Sequence, residues 1–86
     1  MTDAPPLTRD DWSPRLVDLH AAVQRSRVGI ELARRPGSRA RDLEIAQAEL
    51  LTALEHFDEA LRAAGTTLPQ QLRHEMELLR GILRRG

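Results

Sequence analysis

The sequence predicts an all-α fold in which an antiparallel helical hairpin is followed by a shorter third helix. Apolar residues recur at alternating spacings of three and four along most of the chain, which is the pattern of helices with one buried face. Helix-breaking residues interrupt this pattern twice, at Pro36-Gly37 and at Gly65. Such short connections make consecutive helices run antiparallel. We therefore expect helices at about 12–35, 39–64 and 68–84, assembling into an oligomeric helical bundle.

Length and composition predict one small, soluble domain. The chain has 86 residues, of which 41% are hydrophobic and 30% charged. We predict a flexible tail at 1–9 and a single three-helix domain over 10–86. A domain of this size buries only about 60% of its unfolded surface, so oligomerisation often assists it. The sequence contains no cysteine, no signal-peptide pattern and no apolar stretch near the ~20 residues of a membrane span. We expect a cytoplasmic protein without a membrane partner.

The first predicted helix starts at a cluster of capping residues. Asp10, Asp11 or Ser13 can cap it, and Pro14 suits a first helical turn. Gly29 lies in its interior, where glycine lowers helix stability by up to about 1 kcal/mol relative to alanine. We therefore expect this glycine to have a packing role, which is to let a second helix approach closely. The predicted buried seam, with one polar member, consists of Trp12, Leu16, Leu19, Val23, Ser26, Ile30 and Ala33.

The second predicted helix is capped by Ser38 and ends before Gly65. Small residues recur every seven positions along its seam, which allows two helix backbones to approach toward the short end of the usual 8–10 Å range. That seam is Leu43, Ala46, Leu50, Ala53, Phe57, Ala60 and Ala64.

The third predicted helix opens with Thr67 and Gln70, which stand three apart in a capping-box arrangement. Its predicted buried stripe is Leu72, Met76, Leu79 and Leu83, supported by Leu78 and Ile82. Counting residues from the two turns places Arg84 and Arg85 level with Glu49 and Ala48. The third helix is thus expected to stop about two turns short of the hairpin tip.

An arginine-rich segment, RRPGSRAR at 34–41, marks the first turn. All 13 basic residues of the chain are arginine and 13 acids balance them, but the tip half (25–49 with 84–86) holds eight arginines against four acids. Arg39 and Arg41 oppose the positive start of their helix, which suggests an anionic partner. Acidic residues lie between these arginines, and no aromatic residue is nearby to stack on bases. Nucleic-acid or polyanion binding is therefore the alternative hypothesis rather than the leading one. Its candidate residues are Arg34, Arg35, Arg39, Arg41, Arg84 and Arg85.

A second apolar stripe outside the predicted seams indicates an interface. On the first helix it comprises Val17, Ala21, Val28 and Leu32, and the second helix has a comparable surplus. Near the tip, the third helix is not expected to cover Val28, Ile30, Leu32, Leu43 and Ile45. We predict that these five residues form an interface, with a second copy of the chain or with another protein. The N-terminal tail could instead cover the patch.

Catalytic and metal-binding patterns are not evident. His20, His56 and His74 fall within about one helical turn of a common level, but the carboxylate–histidine order expected of a metal-binding bundle is reversed. The chain has no cysteine nucleophile, glycine-rich phosphate loop or serine beside a histidine. We expect a non-catalytic adaptor, regulator or assembly subunit with no metal site and no cofactor.

Overall fold

The computed structural model describes residues 12–85, which form three α-helices and no strand: α1 Pro14–Ala33, α2 Ala40–Ala63 and α3 Gln70–Arg85. The prediction of an all-α, three-helix chain is confirmed. The observed helix ends differ from the expected ones by one or two residues. The predicted tail at 1–9 lies outside the described residues.

Helix α1 begins where Ser13 caps it. The backbone N–H of Leu16 donates to Ser13 Oγ at 3.3 Å, which satisfies one of the free donors of the first turn. Pro14 occupies the first helical position, where its missing N–H is not needed. The helix therefore starts after Ser13 rather than at residue 12.

The arginine-rich segment contains a tight turn. The N–H of Ser38 donates to the carbonyl of Arg35 at 3.1 Å, and Gly37 between them has a φ of 93°. A positive φ at the third position, after Pro36 at the second, is the geometry of a type II turn and favours glycine there. This segment is therefore first of all a turn between α1 and α2.

The cap of α2 differs from the prediction. Ser38 was expected to cap the helix, but its hydroxyl donates instead to the carbonyl of Leu32 at 3.2 Å. Arg39 is the N-cap, and its N–H donates to the carboxylate of Asp42 at 3.0 Å. The prediction was wrong because the turn uses Ser38, and Asp42 in the first helical turn supplies the capping group.

Helix α2 ends in a Schellman motif. The N–H of Gly65 donates to the carbonyl of Arg62 at 3.0 Å, and the N–H of Thr66 donates to the carbonyl of Leu61 at 3.0 Å. Gly65 has a φ of 85°, which a residue with a Cβ rarely adopts. The glycine thus ends the helix where the sequence predicts.

The core lies between α1 and α2 and continues to α3. At its centre Phe57 contacts Trp12 edge-on with 5.6 Å between ring centroids, and the His20 ring lies 5.7 Å from that of Phe57. Such tilted and edge-on ring pairs are the favoured geometries. The most buried side chains are Phe57, Leu50, Leu54, Leu68 and Val23. The aromatic cluster joins the start of α1 to the second half of α2.

Helix α3 reaches closer to the first turn than expected. Leu83 borders a depression with Arg41 and Ile45, near the start of α2. The reason is the α2–α3 connection, since Leu68 is only 1% exposed and inserts into the core. Pro69, on the same connection, lies beside the aromatic cluster. The chain thus turns back along α2 before α3 begins. Residue counting from Gly65 takes no account of this part of the connection.

The structure agrees with the expected burial of the seam alanines and differs from the expectations for Gly29 and for two residues of α3. The seam alanines Ala46 and Ala53 are 6% and 8% exposed, as small residues between close helices should be. Gly29 does not mark such an approach, because a Cβ added there would meet no atom within 4 Å. Leu78 and Ile82 do not support the buried stripe of α3, since they are 55% and 48% exposed. Helix α3 rests on one narrow face and leaves these two side chains outside.

Candidate protein interface

Large apolar side chains remain about half exposed on all three helices. The exposed fraction ranges from 47% to 57% for Val17, Val28, Leu32, Ile45, Leu78 and Ile82. Single exposed apolar residues are ordinary, but a contiguous group between packed helices usually marks a contact surface. The arrangement of these residues therefore decides whether the chain presents a site.

A groove runs between α1 and α2. Near its middle, Ala22 of α1 borders a mostly apolar depression with Ile45, Ala48 and His56 of α2. Toward the turn, a second depression is bordered by Gly29 and Leu32 of α1 and by further residues of α2, and both depressions share Ile45 and Glu49. We call this continuous surface the α1–α2 groove. Its complete lining is Ala22, Gly29, Leu32, Ala33, Ser38, Asp42, Ile45, Ala46, Ala48, Glu49, Thr52, Ala53 and His56.

Small side chains make the groove shallow and accessible. Ala22 and Gly29 on one wall stand across from Ala48 and Thr52 on the other, and no residue of α3 lines either depression. The end of α3 adjoins the groove, because Leu83 borders a neighbouring depression that shares Ile45 and Ala48 with it. Small residues along a helix pair let a third helix backbone approach closely. The described chain provides no such helix on this face.

The five predicted interface residues do not form one surface. Leu32 and Ile45 line the α1–α2 groove at 47% and 48% exposure. Val28 is the most exposed of the set at 57% but borders neither depression of the groove. Ile30 packs against the core, and Leu43 is half-buried on α2. The spacing along α1 explains this division, since Val28 and Ile30 point to different sides of the helix.

The six arginines of the alternative hypothesis are all exposed. Within residues 12–85, none of their guanidinium groups pairs with a carboxylate. Leu83 lies beside Arg41, so α3 brings Arg84 and Arg85 nearer to the first turn than residue counting predicts. Acids lie among these arginines, since Glu44 borders the same depression as Arg41 and Asp42 accepts from the N–H of Arg39.

An ion pair between α1 and α3 was not foreseen from the sequence. Arg27 donates from Nη1 to Glu75 Oε2 at 2.8 Å and from Nη2 to Glu75 Oε1 at 2.6 Å. Arg80 joins α3 to α2 by a single hydrogen bond to Glu55 at 3.0 Å, and both side chains are more exposed than those of the first pair. No sequence signal points to the first pair, because counting from the turns places Arg27 and Glu75 far apart along the bundle.

The three histidines occupy separate environments. His20 lies in the aromatic cluster, whereas His56 and His74 are exposed on α2 and α3. Among residues 12–85, no three histidine or acidic side chains are placed to hold a metal ion. The common level expected for the histidines therefore does not bring them together.

Two further findings concern the whole chain. In the part that the structure describes, no helix has the length and apolar character to cross a membrane. Comparison with protein-family models, with curated proteins and with solved structures gives no match to this chain.

Proposed function

We propose that the protein is a small, non-catalytic helical interaction module that self-associates through the α1–α2 groove and serves as an adaptor, regulator or assembly subunit. In this proposal α1 and α2 form an antiparallel hairpin. Support comes from contacts at both ends of the pair: Trp12 meets Phe57 at one end, and Leu32 borders the groove with Asp42 at the other.

The groove is the observation that carries the proposal. Its surface is mostly apolar and its side chains are mostly small, although Asp42, Glu49 and His56 also line it, and Ile45 exposes nearly half of its surface. Covering such a surface removes apolar area from water at about 25 cal/mol per Å². A second copy of the chain provides matching apolar helices at equal concentration, and two-fold pairing is the commonest form of self-assembly.

Two aspartate substitutions test the proposal. Ile45→Asp places a charge in the α1–α2 groove, and Val17→Asp places one on a side of α1 outside it. Both residues are 48% exposed, so both variants should remain folded. We expect sedimentation equilibrium to give a dimer for Val17→Asp and a monomer for Ile45→Asp, with equal helix content by circular dichroism. Equal masses for both variants would contradict the proposal. Ile30→Asp is less suitable because Ile30 packs against the core.

Polyanion binding is a second candidate, which the unpaired arginines of the turn favour. Arg39→Glu with Arg41→Glu should abolish binding of a labelled single-stranded oligonucleotide at low salt. Arg15→Glu with Arg73→Glu changes net charge equally at exposed positions away from the turn and is the matched control. Phosphate-dominated binding also weakens steeply with salt. Equal loss in both double variants, or binding insensitive to salt, would contradict this candidate.

A further inference from the structure

We propose that two copies pair in antiparallel orientation across the α1–α2 groove, so that the arginine-rich turn of one copy lies over the acidic end of the other. This inference rests on the proposed self-association and adds its geometry. The distribution of charge along α1 and α2, on either side of the middle of the groove, supports it.

The groove lies toward the turn end of the helix pair. On α2 its lining runs from Asp42 to His56, with its midpoint at Glu49, and on α1 it runs from Ala22 to Ala33, the half of α1 nearer the turn. A two-fold axis at Glu49 overlays residues 40–58 of the two α2 helices and leaves residues 59–63 of each beyond the overlap. Ala48 and the nearby Thr52 are small enough to let the two copies approach there, but an axis at this point also brings the two Glu49 carboxylates together, a like-charge contact that opposes pairing.

Charge is unevenly distributed along the same two helices. The half near the turn, residues 25–49, holds six arginines and four acids. The opposite half, residues 12–24 and 50–63, holds two arginines and four acids, namely Asp18, Glu55, Asp58 and Glu59. Glu55 already pairs with Arg80 and Asp58 with Arg62, so Asp18 and Glu59 are the acids of this half without an arginine partner among residues 12–85. Antiparallel pairing brings unlike halves together, whereas parallel pairing brings the arginine-rich halves together. Complementary potentials across an interface favour the first arrangement.

Individual charges agree with this orientation. Counting equal distances from an axis at Glu49 places Arg39 level with Glu59 of the second copy. By the same count Arg41 is level with Phe57, two residues from Glu59. Both arginines lack a carboxylate partner within the described chain and are exposed. The partner's acids would stabilise these arginines, which are unfavourable at the start of their own helix.

Charge exchange tests the contact. Arg41→Glu should weaken dimerisation roughly tenfold, because the substitution acts twice in a two-fold dimer and replaces each attraction to an acid with a repulsion. The double variant Arg41→Glu with Glu59→Arg should regain most of the lost affinity. Arg73→Glu, exposed on α3, is the control and should leave dimerisation unchanged. A double variant no tighter than Arg41→Glu alone would contradict the orientation.

A spin-label distance tests the orientation directly. The chain has no cysteine, so Ala63→Cys introduces one unique label site at the exposed end of α2. With a rise of about 1.5 Å per residue, antiparallel pairing separates the two labels by roughly 40–45 Å. Parallel pairing would place them within about 25 Å, near the lateral spacing of packed helices.

Double electron–electron resonance distinguishes the outcomes. A distance near the longer value, with a short distance appearing in a mixture of Ala40→Cys and Ala63→Cys chains, supports antiparallel pairing. A short distance for Ala63→Cys alone overturns this orientation and leaves self-association intact. Absence of any dipolar signal at concentrations above those of the sedimentation experiment overturns self-association itself, and the orientation with it.

Discussion

The carboxylate of Glu75 accepts two hydrogen bonds from the guanidinium of Arg27, 48 residues away in the chain. The pair joins α3 to α1, and each side chain is about one-third exposed, at 35% for Arg27 and 30% for Glu75. Bidentate arginine–carboxylate pairs are the stronger class of ion pair, and partial burial reduces their screening by salt. This pair therefore helps to set the position of α3.

We expect a double-mutant cycle of Arg27→Met and Glu75→Gln to give a coupling free energy of about 1 kcal/mol in urea unfolding. The pair of Arg62 with Asp58 is the control: it lies within one helix, and its arginine is 69% exposed. Its coupling should be only about 0.3–0.5 kcal/mol. Equal couplings in the two cycles would show that the contact between α1 and α3 contributes no more than a surface pair.

Two glycines should respond in opposite directions to alanine. Gly65→Ala should lower the free energy of unfolding by about 1–2 kcal/mol, because Gly65 has a φ of 85° and ends α2. Gly81→Ala should raise it by up to about 1 kcal/mol, since Gly81 lies within α3 and its added methyl group would meet no atom within 4 Å. Thermal unfolding followed by circular dichroism measures both changes. A stabilising Gly65→Ala would contradict the observed helix end.

Core and surface leucines should differ sharply. Leu54 is 0% exposed, so Leu54→Ala should cost about 2–5 kcal/mol through lost burial and the cavity left behind. Leu78 is 55% exposed, and Leu78→Ala should change stability by less than about 0.5 kcal/mol. Urea unfolding at a fixed protein concentration provides the comparison. A small loss of stability in Leu54→Ala would contradict the position of Leu54 in the core.

Gly29 allows a more specific test of the groove. The single chain has open space for a Cβ at this position, so Gly29→Ala should raise helix stability as Gly81→Ala does. The residue also lines the α1–α2 groove, where a methyl group would obstruct a closely packed second copy. We expect Gly29→Ala to weaken dimerisation and Gly81→Ala to leave it unchanged in sedimentation equilibrium. Equal dimer affinities would indicate that the copies do not meet at Gly29.

The sequence predicts the helices and their ends better than their tertiary positions. Turn residues act on the backbone within a few positions of themselves, and all three expected here lie at turns or helix ends in the structure: Pro36, Gly37 and Gly65. Ser38 shows the limit of this reasoning. Its hydroxyl could either cap α2 or hydrogen-bond within the turn, and in the structure it donates to the carbonyl of Leu32 in the turn. Local chemistry identifies the candidates for a cap, and the folded geometry chooses among them.

The position of α3 could not be derived by counting residues. Leu68 is one apolar residue in a short connection, and nothing in its local sequence shows that it inserts into the core. Its burial draws the connection back along α2, moves α3 toward the first turn and brings Glu75 within reach of Arg27. The same shift leaves Leu78 outside the core. Periodicity identifies a helix with an apolar face, but the neighbour of that face depends on packing across the whole chain.

The α1–α2 groove contains only part of the interface set expected from the sequence, for the same reason. Leu32 and Ile45 were chosen because they lie outside the predicted seams, and both line the α1–α2 groove. Ile30 belongs to the core, and Val28 lies outside the groove. The small residues that shape the groove, such as Ala48, give no signal in a hydrophobic pattern. They become recognisable only when α1 and α2 are placed side by side.

The most direct test of self-association is the solution mass of the unmodified chain, measured by light scattering behind a sizing column over a range of concentrations. The single chain has a mass of 9.7 kDa. We predict about twice this mass, retained at high salt because apolar contacts resist screening even where ion pairs weaken. A mass of 9.7 kDa at every concentration and at both low and high salt would contradict self-association through the α1–α2 groove.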